Sequence, residues 1–378
     1  QTWWPCMGVP VIPELDLTVL RRIHVVGVGG AGMGAIAEVL AAMGHEVTGS
    51  DLKASPVLER LRALGVKVQV GHDSANLEDA DLVTRSTAIA DHNVECRAAW
   101  RRGLPLLSRA QVLSGICALR DTVAVAGTHG KTTTASMLAL VLREAGLRPS
   151  FIIGGDVNEI GTGAAWDDGQ LFVVEADESD GSFLDLDRRV AMVTNVEPDH
   201  LDYHGDIEAY AEIKQRLFSH KDLATAIVNV DDPVGARIAS SIDPQIDLWT
   251  CSTNRSEGKG QARITGTEVE ALHDGVRFTL RHANHTASIE STLPGRFNVD
   301  NLLIAAAYLL SLGHAHERTC AALSRVRRVP GRMELCGTTP AGARVFVDYA
   351  HSPESLLAAL TALREAGAQR LILVFGCG

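Results

Sequence analysis

A chain of 378 residues is two to three times the usual domain length of about 100–200 residues, so it is expected to carry two or three domains with full cores. Hydrophobic residues make up 46% and charged residues 21%, with 35 Gly and 13 Pro, which excludes a disordered chain and a collagen-like repeat. The formal net charge is −11, from 46 acidic against 35 basic residues, so a sequence-independent grip on nucleic acid is excluded and any phosphate must be met by local devices.

In chain order, Gln1 to Pro13 lacks both a basic n-region and an apolar signal core and reads as a cytoplasmic N-terminal arm. From Ile23 the pattern is strand (Ile23–Val26), Gly-rich turn (Gly27–Gly34), an Ala/Leu-rich helix to Met43, and a strand from Glu46 to Gly49. Strand signals at Val66–Val70, Leu82–Thr84 and Leu104–Leu107 extend this into a parallel α/β sheet. A second α/β region opens at Asp121: strand Thr122–Ala126, the loop Gly127–Thr134, a helix to about Glu144, then strands Leu171–Glu175 and Val190–Thr194. From Pro244 to Thr292 short alternating segments rich in Thr, Ser and His predict antiparallel strands appended to the sheet, and Asn298–Leu312 returns to helix. A third region begins near Val326, with strand Val345–Val347, helix Glu354–Glu365 and strand Leu371–Phe375. That last segment is a buried-type strand that normally leads into another turn, so the third region is expected to be cut short and incompletely folded. The expected division is therefore 1–118, 119–325 and 326–378. No apolar run reaches the roughly 18–20 residues of a membrane helix, and seven widely spaced cysteines without C-x-x-C support neither a disulfide framework nor a zinc site.

Four stretches carry chemistry. Gly27, Gly29 and Gly32 form G-x-G-x-x-G between a strand and a helix, with Asp51 nineteen residues beyond Gly32. Glycines there let a pyrophosphate approach the backbone at a helix N-terminus, and the acid takes a ribose hydroxyl. A UDP-sugar satisfies this pattern as well as NAD does, and a Gly-rich turn with no ligand is the bland alternative. Gly127-Thr128-His129-Gly130-Lys131-Thr132-Thr133 is a shortened phosphate loop, with Val125 standing where the first Gly of the full motif would be; backbone N–H groups and Lys131 face phosphates and a hydroxyl faces Mg²⁺. Glu175 to Asp180 crowds four acids at a strand end, where a divalent cation relieves their repulsion and a solvated turn is the alternative. Asn195 to His200 follows another strand, and His200 is a candidate metal ligand or phosphate contact.

Together with His24 to Gly34, these motifs in this order resemble the Mur ligases, the ATP-dependent enzymes that add amino acids to the UDP-N-acetylmuramoyl precursor of peptidoglycan. The resemblance covers nearly the whole chain. The first two regions are most similar to members that add L-alanine. Phe297 stands where those usually carry His, and Pro330–Glu334 with Val347–Pro353 is more like the member that adds the third residue. The resemblance implies a Rossmann-like UDP-binding domain, a central P-loop domain with a parallel sheet and antiparallel appendage, and a Rossmann-like C-terminal domain. It implies an acyl phosphate mechanism with ATP and Mg²⁺ and, as substrates, UDP-N-acetylmuramate and an amino acid, L-alanine favoured, in a monomer or homodimer. The UDP-sugar would meet Gly29, Gly30, Ala31, Gly32, Asp51 and Ser86. ATP would meet Gly127 to Thr133 with Asn298 and Asn301. Metal would be held by Thr132, Glu175, His200 and Lys214, the last as a carbamate, although an ordinary helix-surface lysine is the other reading of Lys214. Catalysis would fall to Lys131, Glu175, His200, Arg332, Asp348 and His351. Two rival functions stay open from the residues: an NAD-dependent oxidoreductase at Gly27–Gly32, and a non-catalytic UDP-sugar or nucleotide binder.

Overall fold

A computed structural model describes residues 15–157, 161–176, 186–196, 212, 214–254, 262–326 and 329–376. By internal contacts the chain divides into two compact units. The first is 1–120 with 164–166 and 178–187, and the second takes the remainder.

In the first unit, β1 (Arg22–Val26), α1 (Ala31–Ala42), β2 (Glu46–Asp51), α2 (Pro56–Ala63), β3 (Lys67–Val70), β4 (Leu82–Arg85), α3 (Val94–Arg101), β5 (Leu106–Ser108) and α4 (Arg109–Cys117) build a five-stranded parallel sheet of order β3-β2-β1-β4-β5. Ile23 to Val26 are all buried, which suits the central strand of a sheet covered on both faces. Helix starts follow local chemistry. Ser55 accepts from Leu58 N–H ahead of Pro56, Asn93 accepts from Glu95 and Cys96 N–H, and Ser108 with Gln111 forms a capping box.

The second unit contains β6 (Asp121–Ala126), α5 (Lys131–Glu144), β7 (Ser150–Val157), all but the last two residues of β8 (Thr162–Ala165), β9 (Leu171–Glu175), β10 (Val190–Val193), β11 (Thr225–Asn229), α6 (Pro233–Ser241), β12 (Asp247–Ser252), β13 (Ile264–Leu272), β14 (Gly275–His282), β15 (His285–Ser291), α7 (Phe297–Ser311) and α8 (His316–Arg325). Its ten strands run β15-β14-β13-β12-β11-β10-β6-β9-β7-β8. β6 lies between β10 and β9, parallel to both, so the loop that follows it opens where neighbouring strands also end. α7 is buried along nearly its whole length and packs on α5.

The antiparallel appendage is β13-β14-β15 only. β12 falls within the span expected to be antiparallel, yet it pairs parallel to β11, because the chain reaches it by a crossover through α6 and not by a hairpin. The third region forms a hairpin, β16 (Glu334–Thr338) with β17 (Arg344–Val347), followed by α9 (Pro353–Glu365). The expected strand at Leu371–Phe375 is absent. The segment has strand-like composition but no paired neighbour among the described residues, and Ile372, Val374 and Phe375 are exposed. No helix among the described residues is long and apolar enough to cross a membrane.

Candidate functional site: a phosphate loop in one unit and a Gly-rich turn in the other

β6 ends at Ala126, and the chain turns through Gly127–Gly130 into α5. Gly130 sits in the left-handed region at φ 82°, where a Cβ would also come within 2.8 Å of Asn301 Oδ1, so only glycine is comfortable there. The loop is held from the strand beside it. Thr128 N–H donates to Asn195 O (2.9 Å) and His129 N–H to Asn195 Oδ1 (2.9 Å), while Thr194 Oγ1 and Asn195 Nδ2 donate to His129 O (2.6 and 3.1 Å). Behind it, a buried polar chain runs from α5 into α7. Thr134 Oγ1 donates to Asn301 Oδ1 (3.0 Å), Asn301 Nδ2 to Asn298 Oδ1 (3.1 Å), and Asn298 Nδ2 to Pro294 O (2.6 Å). The two asparagines expected at the nucleotide are thus tied to protein groups and fasten α7 to the loop.

Lys131 Nζ donates to Gly127 O (2.7 Å) and Thr128 O (3.2 Å), which folds the ammonium over the loop. Thr132 Oγ1 is 3.2 Å from Glu175 Oε2, and Glu175 Oε1 accepts from Gly154 N–H (2.8 Å). Burial pushes the Glu175 carboxyl above its ordinary range, against the pull of Gly154 N–H, Thr132, Lys131 and Arg332. A hydroxyl beside a desolvated carboxylate is the hard oxygen pair that Mg²⁺ prefers, so these two side chains fit that ion. Arg332 Nη2 donates to Thr132 Oγ1 (3.0 Å) and its guanidinium lies 4.8 Å over the Tyr349 ring. Asp348 is engaged locally, accepting from Met333 N–H (2.6 Å) and Ala350 N–H (2.8 Å). Exposed His351 has Nδ1 2.9 Å from Tyr349 O. Lys214, read as metal ligand or surface lysine, is fully buried, which corrects the surface reading: helical spacing gave no sign of which face turns inward. Thr133 is buried on α5. His200 and the acids Asp177 to Asp180 lie outside the described residues.

The sequence did not reveal two features here. Thr194 and Asn195 serve as the loop's scaffold, and their position directly after a buried strand was the available signal. An acidic pair flanks the start of α7. Thr253 Oγ1 lies 3.0 Å from Asp231 Oδ2 and 3.2 Å from Asp300 Oδ1. Burial pushes Asp300 up to about 6, opposed by the Thr253 hydrogen bond and reinforced by repulsion from Asp231.

In the first unit, Gly27 takes φ 80° and a Cβ at Gly29 would lie 2.8 Å from Asp51 Oδ2. Gly29 N–H donates to Asp51 Oδ2 (2.9 Å), and Lys53 N–H approaches Oδ1 (3.3 Å). Gly30 caps α1 with no side-chain bond and Ala31 opens it, leaving the helix N-terminus to backbone donors. A Cβ at Gly32 would lie 3.0 Å from Arg109 Nε, and Ser86, whose N–H donates to Val26 O (3.1 Å), closes the turn over Gly27.

Three family descriptions match the chain: "Mur ligase family, catalytic domain" over residues 22–120, "Mur ligase middle domain" over 125–309, and "Mur ligase, glutamate ligase domain" over 331–378. A UDP-N-acetylmuramate–L-alanine ligase of Clavibacter sepedonicus is 40% identical over 369 residues, 96% of this chain and 75% of that protein. One from Burkholderia thailandensis is 39% identical over 368 residues, 94% and 77% of the two chains. Among solved structures, the UDP-N-acetylmuramate-alanine ligase of Thermotoga maritima superposes with TM-score 0.78 at 26% identity, covering 92% of this chain and 78% of that one. The UDP-N-acetylmuramate:L-alanyl-γ-D-glutamyl-meso-diaminopimelate ligase of Neisseria meningitides gives TM-score 0.71 at 30% identity, covering 82% and 99%.

Proposed function

The chain belongs to the Mur ligase family, and from that premise we propose that it is an ATP-dependent ligase joining L-alanine to the carboxylate of UDP-N-acetylmuramate, in the cytoplasm where ATP and UDP-sugars are made. The observation that carries this is the joint placement of Lys131, Thr132, Glu175 and Arg332 at the end of β6, beside a loop whose backbone is held by Asn195. Family membership argues against the NAD-dependent oxidoreductase and supports reading the Gly27–Gly32 turn with Asp51 as the UDP-sugar site.

A carboxylate is a poor electrophile and repels the phosphate it must attack, so the site has to neutralise crowded negative charge before any bond forms. The carboxylate oxygen attacks the γ-phosphorus and ADP leaves. The neutral amine of L-alanine then attacks the acyl carbon, phosphate departs with that carboxylate oxygen, and the proton lost from nitrogen goes to solvent. Lys131 exchanges its two loop carbonyls for β- and γ-phosphate oxygens, and Gly127 to Thr133 offers backbone N–H groups at the start of α5. Arg332 adds a guanidinium on the same hydroxyl that faces Glu175. Mg²⁺, when bound at Thr132 and Glu175, would screen the phosphate charge; His200 and a carbamylated Lys214 complete the proposed ligand set. Asn298 and Asn301 would brace the nucleotide's loop from α7, and Asp348 with His351 would meet the nucleotide or the incoming amine.

The test is amide formation by the full protein with UDP-N-acetylmuramate, ATP and Mg²⁺, offered L-alanine, the other proteinogenic amino acids, or the tripeptide L-alanyl-γ-D-glutamyl-meso-diaminopimelate. L-Alanine alone is expected to give product with stoichiometric phosphate. Product only with the tripeptide would place the chain with the Neisseria relative, and no product with any amine would leave it a nucleotide-binding protein.

A further inference from the structure

One charged group in the first unit has no part in the chemistry above. Glu95, in the first turn of α3, is completely buried, yet its two oxygens meet three donors and a ring nitrogen of His72, which also lies 2.9 Å from Ser50 Oγ. Oε2 accepts from Ser50 Oγ (2.6 Å) and lies 3.1 Å from His72 Nδ1. Oε1 accepts from Asn76 Nδ2 (2.7 Å) and Asp73 N–H (3.2 Å). His24 Nε2 stands 3.6 Å away from Oε2. Burial would push this carboxyl up, but His24, Ser50 and Asn76 outweigh it and hold it down at about 2. Burying an anion is costly unless its lone pairs are used, so a donor set this complete needs a reason.

The reason lies one residue along. Ser50 O accepts from both Gly27 N–H (2.8 Å) and Val28 N–H (3.1 Å), and the next residue, Asp51, accepts from Gly29 N–H. Three successive N–H groups of the Gly-rich turn therefore hang on the Ser50-Asp51 dipeptide at the end of β2. The side chain of Ser50 is in turn locked by Glu95. We infer that Glu95 is a positioning residue for UDP-sugar binding, a buried anion that fixes the end of β2 through Ser50 and so presets the turn and the Asp51 carboxylate. This rests on the reading that Gly27–Gly32 and Asp51 hold the UDP-sugar. A carboxylate accepts at both oxygens, whereas glutamine accepts at one and would either reverse the bond to Ser50 Oγ or set its NH₂ against Asn76 Nδ2 and Asp73 N–H.

Titration calorimetry with UDP-N-acetylmuramate and, separately, with an ATP analogue distinguishes the possibilities. Glu95→Gln should weaken the UDP-sugar about tenfold and leave the nucleotide within twofold, and Ser50→Ala, which removes the linking hydroxyl and one donor to Glu95, should lower the unfolding temperature and weaken the UDP-sugar about threefold, with nucleotide affinity within twofold showing that the fold survives. If Glu95→Gln fails to fold, Ser50→Ala decides alone. Unchanged UDP-sugar affinity in Ser50→Ala, or equal loss of both ligands in a folded Glu95→Gln, would overturn the inference. Asp51→Ala separates the two levels: if it too leaves the UDP-sugar unaffected, the reading of the turn has failed, whereas weakening by Asp51→Ala with no effect of Ser50→Ala sinks the positioning role only.

Discussion

Lys131 is paired with two loop carbonyls, bonds that phosphate oxygens would replace under the proposed function. Lys131→Ala should therefore lower ATP-dependent turnover by roughly 10³-fold, the scale expected when a cation on a transferring phosphoryl group is lost. UDP-sugar affinity, measured by calorimetry, should stay within twofold if, as proposed, that ligand is held by the Gly27–Gly32 turn. Asp300 gives a pH signature. Its folded pKa of about 6 stands above the ordinary 3.8, so the charged form costs the fold stability above pH 6, and the cost fades as pH falls from 6 toward 4. Asp300→Asn is expected to raise the unfolding temperature at pH 8, by an amount worth roughly 2–3 kcal/mol, and to change it little at pH 4. An equal gain at both pH values would show that charge is not the cause.

At the scale of elements, the loop and α5 depend on Gly130. Adding a Cβ at φ 82° costs about 1–2 kcal/mol for the left-handed conformation and pushes on Asn301 Oδ1 at 2.8 Å. Gly130→Ala should lower the unfolding temperature and raise KM for ATP, whereas substitution of Gly103, also left-handed but with nothing within 4 Å, should lower stability alone. The strands of the phosphate-loop sheet and the Gly-rich turn were legible because a buried run followed by glycines and a helix is local information. Asn298 and Asn301 were legible as polar residues at a helix start but not as the chain linking α7 to α5, since that link joins positions 167 residues apart. β12 and Leu371–Phe375 show the same limit. Apolar composition states that a segment can be a strand, while its direction and its partner are properties of the assembled sheet. Hydrogen exchange should find Leu371–Phe375 exchanging far faster than Val123–Ala126, which have strands on both sides; equal protection would mean that Leu371–Phe375 is paired in solution.

At the scale of the whole molecule, two α/β units divide the labour by the chemistry of their first turns. One presents a Gly-rich turn hung from Ser50 and Asp51, and the other presents a cationic phosphate loop braced by Asn195 and Asn301. The composition leads to the same expectation, because an acidic chain that holds two phosphate-bearing substrates needs such local devices. The buried Glu95 and half-buried Asp300 escaped sequence reading, for nothing in a local pattern states that a charged side chain turns inward. The central claim is that the UDP-sugar carboxylate is activated by phosphoryl transfer at the loop following β6. It is tested most directly by supplying UDP-N-acetylmuramate with ¹⁸O in its carboxylate, together with ATP, Mg²⁺ and L-alanine, and reading the released phosphate by mass. The account predicts one ¹⁸O in each phosphate formed, with ADP as the other product and one ¹⁸O kept in the amide; unlabelled phosphate, or label in AMP with release of pyrophosphate, would contradict it.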